Sequence, residues 1–249
     1  MASSDEEIPG SVQPIRSNRT DGMKRFGEAK EEQPVKINLE NVQPADIERR
    51  SFEIITQEMK EMGLSVPEET ALIVKRCIHT SADFDYAQNL YFSEGAVEAA
   101  LKAIREGTCI VTDTQMAKAG INKKSLARHG GEVYCFMPDE DVAAEAKKRG
   151  VTRAAVSMEK AAAMSRPLIF AIGNAPTALV RLYELIEEGQ LQPALIIGAP
   201  VGFVNVVQSK ELIMQTDVPC IVARGRKGGS NIAACICNAL LYMINNERG

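Results

Sequence analysis

Five short apolar runs rich in β-branched residues constrain this chain more than any other feature: TCIVT (108–112), EVYCF (132–136), LIFAIG (168–173), ALIIG (194–198) and CIVAR (220–224). Each is continuous rather than alternating, the pattern of a strand buried on both faces. Helical segments are expected at 139–149, 152–164, 175–188, 203–215 and 229–244. Strand and helix in alternation with short connections require right-handed crossovers and a parallel sheet covered on both sides. The expected fold is therefore α/β: a three-layer α/β/α domain with a parallel sheet of about five strands, preceded by two helices. From Pro44, the residues Ile47, Ser51, Ile54, Ile55, Met59 and Met62 recur at three- and four-residue steps until Gly63. The second helix opens at Pro67 with Glu68 and Glu69 at the positive end of its dipole, and is expected to bury Ala71, Leu72, Val74 and Ile78. Residues 1–40, rich in Ser, Pro, Gly and mixed charge, read as a flexible tail, and 41–249 as one domain.

Composition narrows the function. The net charge is -4, tryptophan is absent, and no basic stripe is interleaved with aromatics, which argues against nucleic acid as a partner. No apolar run approaches the roughly 20 residues needed to cross a bilayer. The start, MASSDEEIPG, is acidic and polar where a signal peptide is basic and then apolar, so a cytoplasmic protein is expected. The six cysteines include no CxxC pair, and Cys235 and Cys237 point in different directions on a helix. Reduced, structural thiols and no metal site follow.

In open parallel sheets the ligand lies beyond the carboxyl ends of the strands. Three successive loops there carry glycine and then open a helix: Gly173 to Thr177, with Asn174; Ala199 to Gly202; and GRKGGS, 225–230. Exposed amides at helix starts favour anions. Arg224, Arg226 and Lys227 beside Gly228, Gly229 and Ser230 suit several carboxylates or phosphates, although the loop matches neither a Walker nor a dinucleotide fingerprint. A solvated basic turn is the alternative. Arg153 falls in the first turn of a helix, where a cation is unfavourable unless an anion is near, be it a ligand or a neighbouring Glu.

His79, one of two histidines, follows Arg76 by three residues on the second helix, with Asp83 and Asp85 just beyond. Two readings stand. The imidazole is a general acid beside an anion-binding arginine, oriented by an aspartate, or it is a cation favourably placed at a helix C-terminus. His129, in a glycine turn, is expected to be solvated.

SFEIITQEM (51–59), RCIHTSADFDYAQNLYFSEGAV (76–97), GTCIVTDTQMAKAGI (107–121), GVTRAAVSMEKAA (150–162), FAIGNAPTALVRLYEL (170–185), PALIIGAPVGFVNVVQSKE (193–211) and RGRKGGSNIAACICNALL (224–241) resemble, in order, the blocks of the precorrin-8X methylmutase family, also called precorrin isomerase or cobalt-precorrin-8 methylmutase. The resemblance spans about residues 44 to 245. It implies a flavodoxin-like sheet and an isomerase of cobalamin biosynthesis. Such an enzyme moves a methyl group between adjacent ring carbons of a tetrapyrrole, precorrin-8X or its cobalt form, by a sigmatropic shift that yields hydrogenobyrinate or cobyrinate. It implies a homodimer with the ligand near the subunit interface and no cofactor. The family's proton-donating histidine falls on His79 and its ligand-contacting residues on Ser51, Arg76 and Arg153. Without the resemblance, the residues also suit a nucleotide- or phosphate-binding regulatory module; with its corrinoid pocket but no catalysis, they suit a non-catalytic corrinoid carrier.

Overall fold

The computed structural model describes Glu40 and residues 42–245, so the expected tail lies almost wholly outside the described residues. The chain divides into two units, Met1–Asn41 and Val42–Gly249, and every element below belongs to the second.

A 3-10 turn at Pro44–Asp46 leads into α1 (Ile47–Glu61), followed by α2 (Glu68–Ser81), α3 (Tyr86–Asn89), β1 (Leu90–Phe92) and α4 (Ala96–Arg105). The remaining elements are β2 (Cys109–Thr112), α5 (Gln115–Gly120), α6 (Lys123–Ala127), β3 (Val133–Tyr134), α7 (Glu140–Arg149), α8 (Arg153–Ala162), β4 (Leu168–Ile172), α9 (Pro176–Glu187), β5 (Leu195–Gly198), α10 (Val206–Met214), β6 (Cys220–Ala223) and α11 (Ser230–Asn245).

The sheet order is β1-β6-β5-β4-β2-β3. The five expected strands, β2 to β6, are all parallel, and counted among themselves they have the 2-1-3-4-5 order of flavodoxin-like sheets. The sheet has one strand more than expected: β1, which caps the β6 edge antiparallel, with Tyr91 opposite Val222. Every residue of β2, β4, β5 and β6 is buried, which accounts for their unbroken apolar runs. One core packs α1, α2, α4 and α11 on one face of the sheet, and a second packs α8, α9 and α10 on the other. Phe170 and Leu179, both fully buried in the second core, are each worth about 1.5–3 kcal/mol of apolar transfer.

The N-terminal helices form where expected and bury part of the expected sets, Ile55 and Met59 in α1 and Val74 and Ile78 in α2. In α1 only Ile55 and Met59 are covered, while Ile47, Ile54 and Met62 stay exposed. In α2 the buried set is Thr70, Ile73, Val74, Arg76, Cys77 and Ile78, with Ala71 and Leu72 half-covered. α2 and α11 lie antiparallel, because Thr80 Oγ1 donates to Cys235 Sγ at 3.2 Å while Arg76 stacks on Tyr242 at 4.5 Å. The end of α2 is thereby held beside the start of α11, at the carboxyl edge of the sheet.

Candidate functional site

Three loops interlock at the carboxyl edge. Asp113, the residue after β2, is buried, and its carboxylate accepts the N–H groups of Gly173 (2.8 Å), Asn174 (2.8 Å) and Ala175 (2.6 Å). Burial pushes this carboxyl up from the ordinary range, and the three amides pull it back. The anion position at the start of α9 is thus filled from within. Only the exposed side chain of Asn174 stays free of that arrangement, which corrects the reading of its loop as an open anion site. Nothing in the sequence around Asp113 announces this role, because its three partners lie some 60 residues away.

Ser230 Oγ meets Thr114 Oγ1 at 2.8 Å, and Thr114 also caps α5 by accepting from the Ala117 N–H. A Cβ on Gly173 would fall 2.5 Å from Ser230 Cα, and one on Gly228 2.2 Å from the Ala199 carbonyl oxygen. Gly229 donates its N–H to that same carbonyl at 2.7 Å. Gly228 and Gly229, expected as ligand contacts, are therefore first of all close-packing positions, and the Gly229 amide is already engaged.

The loop cations divide. Lys227 bonds Asp83 and Asp85, with ion-pair distances of 2.6 and 2.5 Å. Its ammonium holds the Asp83 carboxyl below the usual range. The two aspartates expected to orient His79 thus tether the 224–230 loop instead, through an ammonium that is already paired. Arg224 and Arg226 are exposed, stacked on Tyr91 (4.6 Å) and Phe203 (5.3 Å). Phe203 and its neighbours Val201 and Val204 are themselves exposed. Guanidinium groups beside open apolar surface suit a ligand with an apolar body and anionic arms.

His79 is exposed in the last turn of α2, its ring 5.6 Å from that of Phe52 on α1. Phe52 also lies 5.2 Å from the Arg76 guanidinium, which is buried between Phe52 and Tyr242 and bonds Glu48 at 3.0 Å. Ser51 adjoins Phe52, and its hydroxyl donates to the Ile47 carbonyl. Arg76 and His79 are thus gathered about one aromatic ring, Phe52, which the sequence reading overlooked although it follows Ser51. α2 ends on Ala82 in the left-handed region (φ 54°), a conformation glycine adopts without cost. Ala82→Gly is expected to raise stability by up to about 1 kcal/mol, checked by urea denaturation.

Arg153 stands exposed at the first position of α8, where Thr152 caps the helix and bonds Thr177 at 2.9 Å. Glu159, the neighbouring acid, pairs with Arg149 and Arg181 instead. A cleft of about 480 Å³ runs between α8 and α9, lined by Arg149, Thr152, Glu159, Thr177, Arg181 and Asn205, and His79 is not on its wall. No contact joins His79 to Arg153 or to Arg226. The edge links them through intermediates: Asp83 and Asp85 to the 224–230 loop, and Gly173 with Ser230 onward to α9. His129 is half-buried rather than solvated, with Nε2 3.2 Å from Asn245 Oδ1. Among the described residues no cluster of His, Cys, Asp and Glu is arranged to hold a metal ion.

Comparison with known proteins bears on this geometry. Residues 46–243 match the family model described as precorrin-8X methylmutase. The cobalt-precorrin-8 methylmutase of Priestia megaterium is 46% identical over 205 residues, which cover 82% of this chain and 90% of that one. The precorrin-8X methylmutase of Pseudomonas aeruginosa is 38% identical over 196 residues, 78% of this chain and 93% of that one. The crystal structure of precorrin-8X methylmutase from Thermus thermophilus superposes with a TM-score of 0.73 at 38% identity, covering 81% of this chain and 98% of that one.

Proposed function

Since the chain belongs to the precorrin-8X methylmutase family, we propose that the group around Phe52 is its catalytic centre and that His79 is the general acid. The protein is an isomerase of cobalamin biosynthesis that shifts a methyl group within a tetrapyrrole. The His79 N–H delivers a proton to the macrocycle, the added positive character draws the methyl group to the adjacent ring carbon, and a proton lost elsewhere on the ring keeps substrate and product isomeric. An imidazole N–H within reach of the ring is suited to this as a positioned proton donor.

The observation that carries the reading is the placement of His79: accessible, packed on an aromatic ring, and fixed at the edge of the sheet where Arg224 and Arg226 stand exposed. Arg76, buried against the same Phe52 ring and paired with Glu48, fixes the floor on which His79 stands. Arg153 and the side chains of Asn174 and Ser230 are assigned to the periphery of the ligand. The active form is a homodimer, a reading supported by the exposed apolar residues Ile47, Ile54 and Met62 on the helix that carries Ser51. No described helix is long and apolar enough to cross a membrane, and six free cysteines fit a cytoplasmic setting.

Precorrin-8X and cobalt-precorrin-8, each mixed with the protein and followed by visible absorption, test the function. One of them converts to the corrin spectrum, and conversion of neither would refute it. Arg226→Glu is expected to raise KM roughly tenfold or more with kcat within a few-fold, because a surface cation that binds a carboxylate contributes mainly to uniform binding. An unchanged KM would remove Arg226 from the site.

A further inference from the structure

Lys210, on α10, is a costly residue for its place. It is 1% exposed, and burial pulls its ammonium down to about 8, yet no carboxylate among the described residues partners it. Its Nζ donates instead to two main-chain carbonyls, those of Gly225 and Lys227, each at 2.8 Å. Both belong to the 224–230 loop.

The consequence follows from the planarity of the peptide bond. In a trans peptide the C=O and the following N–H point in opposite directions. With the Gly225 carbonyl turned inward onto Lys210, the Arg226 N–H is turned outward; with the Lys227 carbonyl turned inward, the Gly228 N–H is turned outward as well. At the two ends of this stretch Arg224 donates its N–H to the Asn89 carbonyl and Gly229 to the Ala199 carbonyl. Neither the Arg226 nor the Gly228 N–H donates to any group among the described residues. The exposed guanidinium of Arg226 stands on the same loop.

We propose that Lys210 is a positioning residue: by holding the Gly225 and Lys227 carbonyls from behind, it presents the Arg226 and Gly228 N–H groups, beside the Arg226 side chain, as a seat for one substrate carboxylate. Two alternate amides aimed to one side offer an anion two donors, and a buried cation behind them strengthens their field. A methionine at 210 would fill the same space without the buried charge, so the ammonium does what packing alone does not require. The inference rests on the tetrapyrrole reading above for the identity of the anion.

The test uses the full chain as wild type and as Lys210→Met. Precorrin-8X turnover gives KM and kcat, and titration with hydrogenobyrinate and with its singly amidated forms gives affinity for each carboxylate separately. For Lys210→Met the expected result is a KM raised roughly tenfold or more with kcat within about threefold, the worth of one or two charge-assisted hydrogen bonds. One amidated ligand should lose affinity for the wild type and lose little further for the variant, a coupling that a general loosening of the loop would not produce. Should Lys210→Met fail to fold, Lys210→Gln, which keeps a donor, carries the same comparison with an intermediate KM expected. A folded variant with wild-type KM, or one that loses affinity equally for every ligand form, would overturn the proposal while leaving the methylmutase reading intact. Wild-type protein that neither binds nor converts a tetrapyrrole would overturn both.

Discussion

His79→Ala is expected to lower kcat about 10²- to 10⁴-fold, the usual contribution of a positioned general acid, while the affinity for product changes by less than about threefold. The asymmetry follows from the surroundings of the residue. His79 is exposed and contributes only one edge of a ring contact to Phe52, so its loss opens no cavity and frees no buried partner. The fold should survive, with near-unchanged circular dichroism and a denaturation midpoint close to that of the wild type. Phe52→Leu, which leaves His79 chemically intact but removes the ring that orients it, is expected to fall between the two in kcat. Activity equal to wild type in His79→Ala would return the residue to the alternative of a helix-terminal cation.

The largest loss of stability is expected from Asp113→Ala, at about 3–5 kcal/mol. Three main-chain N–H groups lose their acceptor in a buried site, and each unsatisfied donor costs about 1–3 kcal/mol before relaxation or water entry offsets part of it. Asp113→Asn keeps one oxygen but aims an amide NH₂ at donors, so it should recover only a fraction. Because the Asp113 bonds fix the 173–175 turn, on which the start of α11 packs through Gly173 and Ser230, activity should fall along with stability. Urea denaturation with an unchanged m-value and a lowered midpoint is the expected signature. A loss below about 1 kcal/mol would mean that the three amides find other acceptors.

The parallel sheet was legible because strands covered on both faces need unbroken apolar runs, and helices between them leave room for one handedness of crossover. β1 was not: three residues, two of them half-covered, carry neither a run nor an alternation. The faces of α1 were misjudged for a related reason. Periodicity identifies an apolar stripe but not what covers it, and here Ile54 and Met62 stay 38% and 59% exposed. His79, Arg76 and Arg226 could be picked out as chemistry-bearing residues from their neighbours in sequence. The sorting of the remaining charges could not be read there. Lys227 pairs with aspartates more than 140 residues away, Asp113 serves amides 60 residues away, and Lys210 reads as an ordinary helix lysine until the fold wraps a loop around it. Polar partners at long separation leave no periodic trace, whereas apolar strands do.

The most direct test of the central claim is single-turnover conversion of precorrin-8X or its cobalt form, whichever the wild type accepts, by excess protein in H₂O and in D₂O, for the wild type and for His79→Ala. Proton donation by His79 predicts a fast wild-type conversion that slows in D₂O, and a variant that gives the spectrum of bound substrate without forming the corrin product on that timescale. A variant that converts the bound substrate at the wild-type rate, with the same response to D₂O, would contradict it.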